Sequence, residues 1–107
     1  MYSTPQNEVL SSITVSDDKD NSTAIVFKGF TKGVVLVPNG SSITAITYWI
    51  SSSEDGTYTQ LYNAGSAIST TVAADRVFAL NSAIEGAAYL KLQGDNAGTV
   101  ALHLISS

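Results

Sequence analysis

A chain of 107 residues without cysteine excludes a disulfide scaffold and any thiolate metal site, and it leaves too little surface for two independent cores. Five Lys and Arg against nine Asp and Glu give a net charge of −4 with no basic run, which excludes a phosphate-binding, nucleic-acid-facing surface. Charged residues make up only 13% and hydrophobic ones 44%, while Ser and Thr supply about a quarter of the chain, a composition suited to strand faces and tight turns.

Residues 1–11 are polar with one proline and predict an extended N-terminal arm, dispensable for folding, ahead of a single domain over residues 12–107. The start has neither a basic n-region nor an apolar h-region, and no run approaches a bilayer span. The expectation is a protein made in the cytoplasm without a signal peptide and without a membrane partner.

From Ser12 onward, short runs rich in β-branched and aromatic residues alternate with turn signals. Ile13-Thr14-Val15 leads into the polar turn Asp17-Asp18-Lys19-Asp20-Asn21. Residues 23–28 follow, then Val34-Val35-Leu36-Val37 after Gly33, closed by Pro38-Asn39-Gly40. The long run 43–51 ends at Glu54-Asp55-Gly56. Runs 58–62, 67–73, 76–80, 87–93 and 99–105 complete the chain, divided by Asn63-Ala64-Gly65, Ala74-Asp75, the segment 81–86 and Gly94-Asp95-Asn96-Ala97-Gly98. Strands of this length at this spacing predict an all-β, antiparallel β-sandwich or jelly roll of about eight strands with negligible helix, one turn around residues 81–85 excepted. No fixed period suggests a repeat protein.

Alternation assigns faces. Val100, Leu102 and Leu104 oppose Thr99, Ala101 and His103; Ala88, Leu90 and Leu92 oppose Tyr89, Lys91 and Gln93. Ile25 with Phe27, Ile68 with Val72, and Phe78 with Leu80 join the core. In the run 43–51 the row Ile46, Tyr48, Ile50 claims the core, which puts Trp49 on the outer face beside Thr47.

Catalysis finds little to work with. The lone histidine, His103, stands in a terminal strand among ordinary hydroxyls, and the carboxylates sit in turns where burial cannot tune them for proton transfer. The acidic turn 17–21 offers oxygen ligands but too few, without the glycine-bearing loop of an EF-hand. The Gly94 to Gly98 segment precedes a strand and not a helix, so it is a turn and not a phosphate cradle. The reading is no enzyme, no cofactor, no metal. What stands out is aromatic: Trp49, Tyr58, Tyr62 and Tyr89 occur among polar neighbours, where amphipathic rings serve binding surfaces, although each could also cap a core edge.

The run Tyr48-Trp49-Ile50-Ser51-Ser52-Ser53-Glu54-Asp55-Gly56-Thr57-Tyr58-Thr59-Gln60-Leu61-Tyr62 resembles the strand, Ser-x-Asp-Gly turn and aromatic strand of β-sandwich adhesive modules. Ala88-Tyr89-Leu90-Lys91-Leu92 resembles a strand of discoidin-like carbohydrate-binding jelly rolls. A small, acidic, Cys-free sandwich rich in Ser, Thr, Ala and Gly with a polar arm also resembles the head-decoration or cement proteins of tailed bacteriophages. That second resemblance implies a non-enzymatic structural protein on the capsid surface of the virion. It would bind the major capsid protein or other virion proteins as a homo-oligomer, a trimer by preference, with the arm reaching over a neighbour. The first implies instead a carbohydrate- or receptor-binding module of a fibre or tail, with Trp49 and the tyrosines as stacking platforms. A small enzyme with an unrecognised site is the third alternative.

Overall fold

Where apolar and polar residues alternate strictly, the chain pairs strictly. The computed structural model describes residues 7–84 and 86–105, and within them lie eleven strands: β1 (Asn7–Val15), β2 (Ile25–Val26), β3 (Lys32–Val37), β4 (Ala45–Ser51), β5 (Thr59–Gln60), β6 (Tyr62–Asn63), β7 (Ser66–Ala67), β8 (Ser69–Thr71), β9 (Arg76–Ala79), β10 (Tyr89–Gly94) and β11 (Gly98–Ile105). They form a four-stranded sheet in the order β1-β11-β3-β9 and a five-stranded sheet in the order β2-β10-β4-β5, with β8 also on β4. All these pairings are antiparallel. The β6–β7 pair is a separate small hairpin. The two sheets pack as a sandwich whose core interleaves Val35, Leu102 and Leu104 with Ile46, Leu90 and Leu92, all essentially inaccessible to water.

Tyr48 is the largest side chain that is wholly buried. Its hydroxyl bonds Thr70 Oγ1 on β8 and accepts the Asn81 amide at 3.1 Å, so one phenol ties three segments together in the core. A buried hydroxyl without such partners would cost about 1–3 kcal/mol.

The sheets meet at one corner. There Gly94 donates to the Ser16 carbonyl at 2.9 Å, and Ser16 bridges Gln93 in parallel. A Cβ on Gly94 would stand 2.6 Å from the Asn96 carbonyl oxygen and 2.9 Å from Val15 Cγ1, so only glycine fits the crossing. Next to it the Asp95 carboxylate accepts the Thr44 amide at 2.8 Å, the Ala45 amide at 3.2 Å and the Thr44 hydroxyl.

The short strands depart from the sequence expectation in instructive ways. Run 23–28 keeps only β2, because the Phe27 and Lys28 amides both donate to Ala88 O and end the ladder. Run 58–62 breaks at Leu61, which donates to Tyr48 O and accepts from Ile68. The polar turn 17–21 crosses between sheets: β1 and β2 belong to different sheets, and a 3-10 turn over Lys19–Asn21 joins them. A second 3-10 turn, Ser82–Ile84, stands where a turn was expected.

The boundary drawn between an arm over residues 1–11 and a domain from residue 12 also shifts. β1 begins at Asn7, and Asn7 to Leu10 pair with Ile105 to Leu102 of β11. The reason lies in the register shift between Leu10 and Ile13. Both side chains pack on the core although they are three apart, so the bulge breaks the period that would have revealed the strand. Residues 1–6 of the expected arm lie outside the described residues.

Deleting residues 1–10 therefore removes four ladder pairs, and the melting temperature should fall by at least about 5 °C for a domain of this size. Deleting residues 1–6 leaves every described pair in place. An unchanged melting temperature after the longer deletion would show that these pairs carry no stability.

A pH prediction comes from Asp95. Its hydrogen bonds to the Thr44 hydroxyl and amide, then to the Ala45 amide, lower its pKa from 3.8 to about 2. The depressed value means that the carboxylate favours the fold. Its contribution is present above the unfolded value of 3.8 and is lost as the pH falls toward 2. Melting followed from pH 5 to pH 2 should decline, and Asp95→Asn should flatten part of that decline. Parallel curves for the two proteins would dismiss the role given to this carboxylate.

Candidate functional site

The pairing of β4 with β10 that sets buried Tyr48 against Leu92 and half-buried Ile50 against Leu90 places Trp49 opposite Lys91 and Ser51 opposite Tyr89 on the other side of the sheet. Gln60 of β5 is the second neighbour of Trp49. The outer face of the five-stranded sheet thus gathers three of the four aromatics singled out in the sequence. Trp49 and Tyr89 are half-buried, and Tyr58 is almost fully buried at 7% exposure. Tyr62 is not among them: it lies on the β6–β7 hairpin, 56% exposed, where Ala64 and Gly65 turn with positive φ.

Lysines cover the rings. Lys91 Nζ is 4.7 Å from the Tyr58 ring centroid, Lys19 Nζ is 5.2 Å from that of Trp49, and Lys28 Nζ is 5.8 Å from that of Tyr89. Three of the five cations of an acidic chain therefore stand on aromatics of one face. Each such contact is worth about 0.5–1 kcal/mol at an exposed site.

Lys91 was legible as the basic member of the 88–92 alternation. Lys19 was not, because only the folded 3-10 turn delivers it. That turn is fixed by Asp18, whose carboxylate accepts the Asp20 amide at 3.0 Å, and by Gln93, whose Nε2 donates to Asp17 O at 2.7 Å. The cluster 17–21 is thereby accounted for structurally. Lys19 also pairs with Asp20 at 3.0 Å and lowers the pKa of that carboxyl, chiefly through the hydrogen bond. Among the described residues no three His, Asp or Glu side chains are grouped to hold a metal ion.

Two polar groups at this face differ in their satisfaction. The Tyr58 hydroxyl donates to Glu54 O at 2.9 Å, and burial, followed by the nearby Glu54 and Asp55 carboxylates, raises its pKa, so it stays protonated. The Trp49 indole N–H is shielded from water and has no acceptor. An N–H left in this state costs the isolated domain free energy. The face is thus aromatic and cationic.

The opposite outer face, on the four-stranded sheet, is dressed differently. His103 is exposed there between Val9 of β1 and Val34 of β3. It has no carboxylate beside it in the ladder, which gives a nucleophile nothing to be organised by. No helix among the described residues is long and apolar enough to cross a membrane.

No protein-family model matches the chain, and no curated protein matches it. Among solved structures the fold is similar to the crystal structure of the SPBc2 prophage-derived protein YomS. The TM-score is 0.57 at 16% identity, over 99% of this chain and 98% of that chain. At such identity the likeness is one of fold.

If Trp49 belongs to a surface, Trp49→Ala should leave a folded domain, less stable by about 1–2 kcal/mol and not by the roughly 3–5 kcal/mol of a core tryptophan. Circular dichroism with urea unfolding reads the difference. A variant that does not fold would place Trp49 in the core and remove the surface.

Proposed function

We propose that the chain is a non-enzymatic structural protein of a bacteriophage particle, a decoration or cement protein that binds the major capsid protein or neighbouring virion proteins and stabilises the assembled head. The observation that carries this reading is the placement of its distinctive side chains on an open sheet face and not in a cleft. Half-buried Trp49 and Tyr89 with Lys19, Lys28 and Lys91 offer contact with a second surface. The likeness of the whole fold to a prophage-derived protein supports a phage setting. A component that binds only the assembled shell stabilises it by mass action.

A carbohydrate-binding or receptor-binding module is the weaker reading for a physical reason. Sugars stack on bare ring faces, and here a lysine stands over each ring. Tyr62, exposed on its hairpin, offers a single ring without a neighbouring platform.

The test is co-sedimentation with heads assembled from the capsid protein of the particle that encodes the chain. The chain should pellet with heads, raise their disruption temperature, and show a blue shift of Trp49 emission on binding; Trp49→Ala should bind at least about tenfold more weakly. Failure to bind heads, together with capture on a glycan array, would replace this reading by the second.

A further inference from the structure

The outer face of the four-stranded sheet carries a patch of exposed apolar side chains. Of the six large hydrophobic side chains exposed among the described residues, four lie there, Val9 at 67%, Val34 at 36%, Leu36 at 46% and Val77 at 57%; Val26 is on the other sheet and Tyr62 on its hairpin. Register makes them contiguous: Val9, His103, Val34 and Ala79 form one row across the sheet, and Ala101, Leu36 and Val77 form the next. The two ends of this face differ in shape and charge. At one end Val34, Ala79, His103 and Ile105 line a groove beside Lys32. At the other, Leu36 and Val77 stand out from the sheet, and exposed Asp75 immediately precedes β9. Among the described residues neither Lys32 nor Asp75 has an ion pair.

We propose that this face is a self-association surface whose occupant is a second copy of the chain, seated antiparallel about a twofold axis. Such an axis brings the prominent end of each copy onto the grooved end of the other. Leu36 and Val77 of one copy enter the groove lined by Val34, Ala79, His103 and Ile105 of its partner. The same rotation sets Lys32 of each copy near Asp75 of the other, so both charges that flank the apolar face find a partner of opposite sign. Arg76 alternates onto the side of Phe78 and does not intrude. Four strands about 4.8 Å apart, of nine, eight, six and four residues, give a shared face of about 400 Å² in plan, so the pair buries on the order of 800 Å², the range of weak interfaces. An area this small implies a weak, reversible contact, strengthened on a lattice that holds the copies close. It builds a dimer, where the resemblance to cement proteins implies a trimer, and it is independent of the aromatic face proposed to meet the capsid.

Sedimentation velocity of the full chain from about 10 to 500 µM, at neutral pH, tests it. The expected result is a reversible monomer–dimer equilibrium. Leu36→Lys and Val77→Lys should each weaken it at least about tenfold. Lys32→Asp should weaken it a few-fold, and Lys32→Asp combined with Asp75→Lys should restore it, an outcome that no loss of folding can mimic. Tyr62→Lys, on the separate hairpin, should change nothing. A wild-type chain that stays monomeric over this range, a trimer, or a charge exchange that fails to restore pairing would overturn the proposal. Failure to bind heads by a chain that still dimerises would bear on the capsid reading alone.

Discussion

The register of β4 against β10 decides both what this protein buries and what it presents. Six consecutive pairs run from Ile46 opposite Gly94 to Ser51 opposite Tyr89. On one side they seal Tyr48, Leu90 and Leu92 from water, and on the other they set Trp49 beside Lys91. A slip by one residue would bury Lys91 and expose two leucines, at a cost no sandwich of this size could carry. Core and candidate surface are thus one constraint seen from two sides, and no substitution that moves this register could change one without the other.

The corner at Gly94 makes that register hold. β1 leaves the four-stranded sheet and reaches β10 through Ser16, while Asp95 draws residues 44 and 45 to the same point. Each contact is modest alone. Together they fix how the sheets face each other, and that angle brings the turn over Lys19–Asn21 across the outer face so that Lys19 meets Trp49.

The legibility of these features in the sequence followed the physics of alternation. Strands buried on one face and half-exposed on the other, such as β10 and β11, announce themselves, and Trp49 could be placed on its face because Ile46 and Tyr48 claimed the other. Alternation said nothing about Val34-Val35-Leu36-Val37, an unbroken apolar run in which only the fold shows that Val34 and Leu36 look outward. It was silent again at the β1 bulge, where Leu10 and Ile13 share the core out of period. Grouping of Trp49, Tyr58 and Tyr89 depended on pairs between strands distant in sequence. Tyr62 dropped out because the chain leaves the sheet at Leu61, a break that local residue preference does not encode.

The pairing of Asn7 with Ile105 sets the first and last described residues side by side on adjacent strands, with Cα atoms about 4.5–5.5 Å apart as antiparallel partners are. A linker placed directly between Ile105 and Asn7 would leave the ladder undisturbed, and the chain could be opened instead at the exposed Ala64-Gly65 turn. The domain is in this sense a closed loop of strands whose point of entry is a matter of convenience, a property suited to grafting it, permuted or whole, onto a larger assembly.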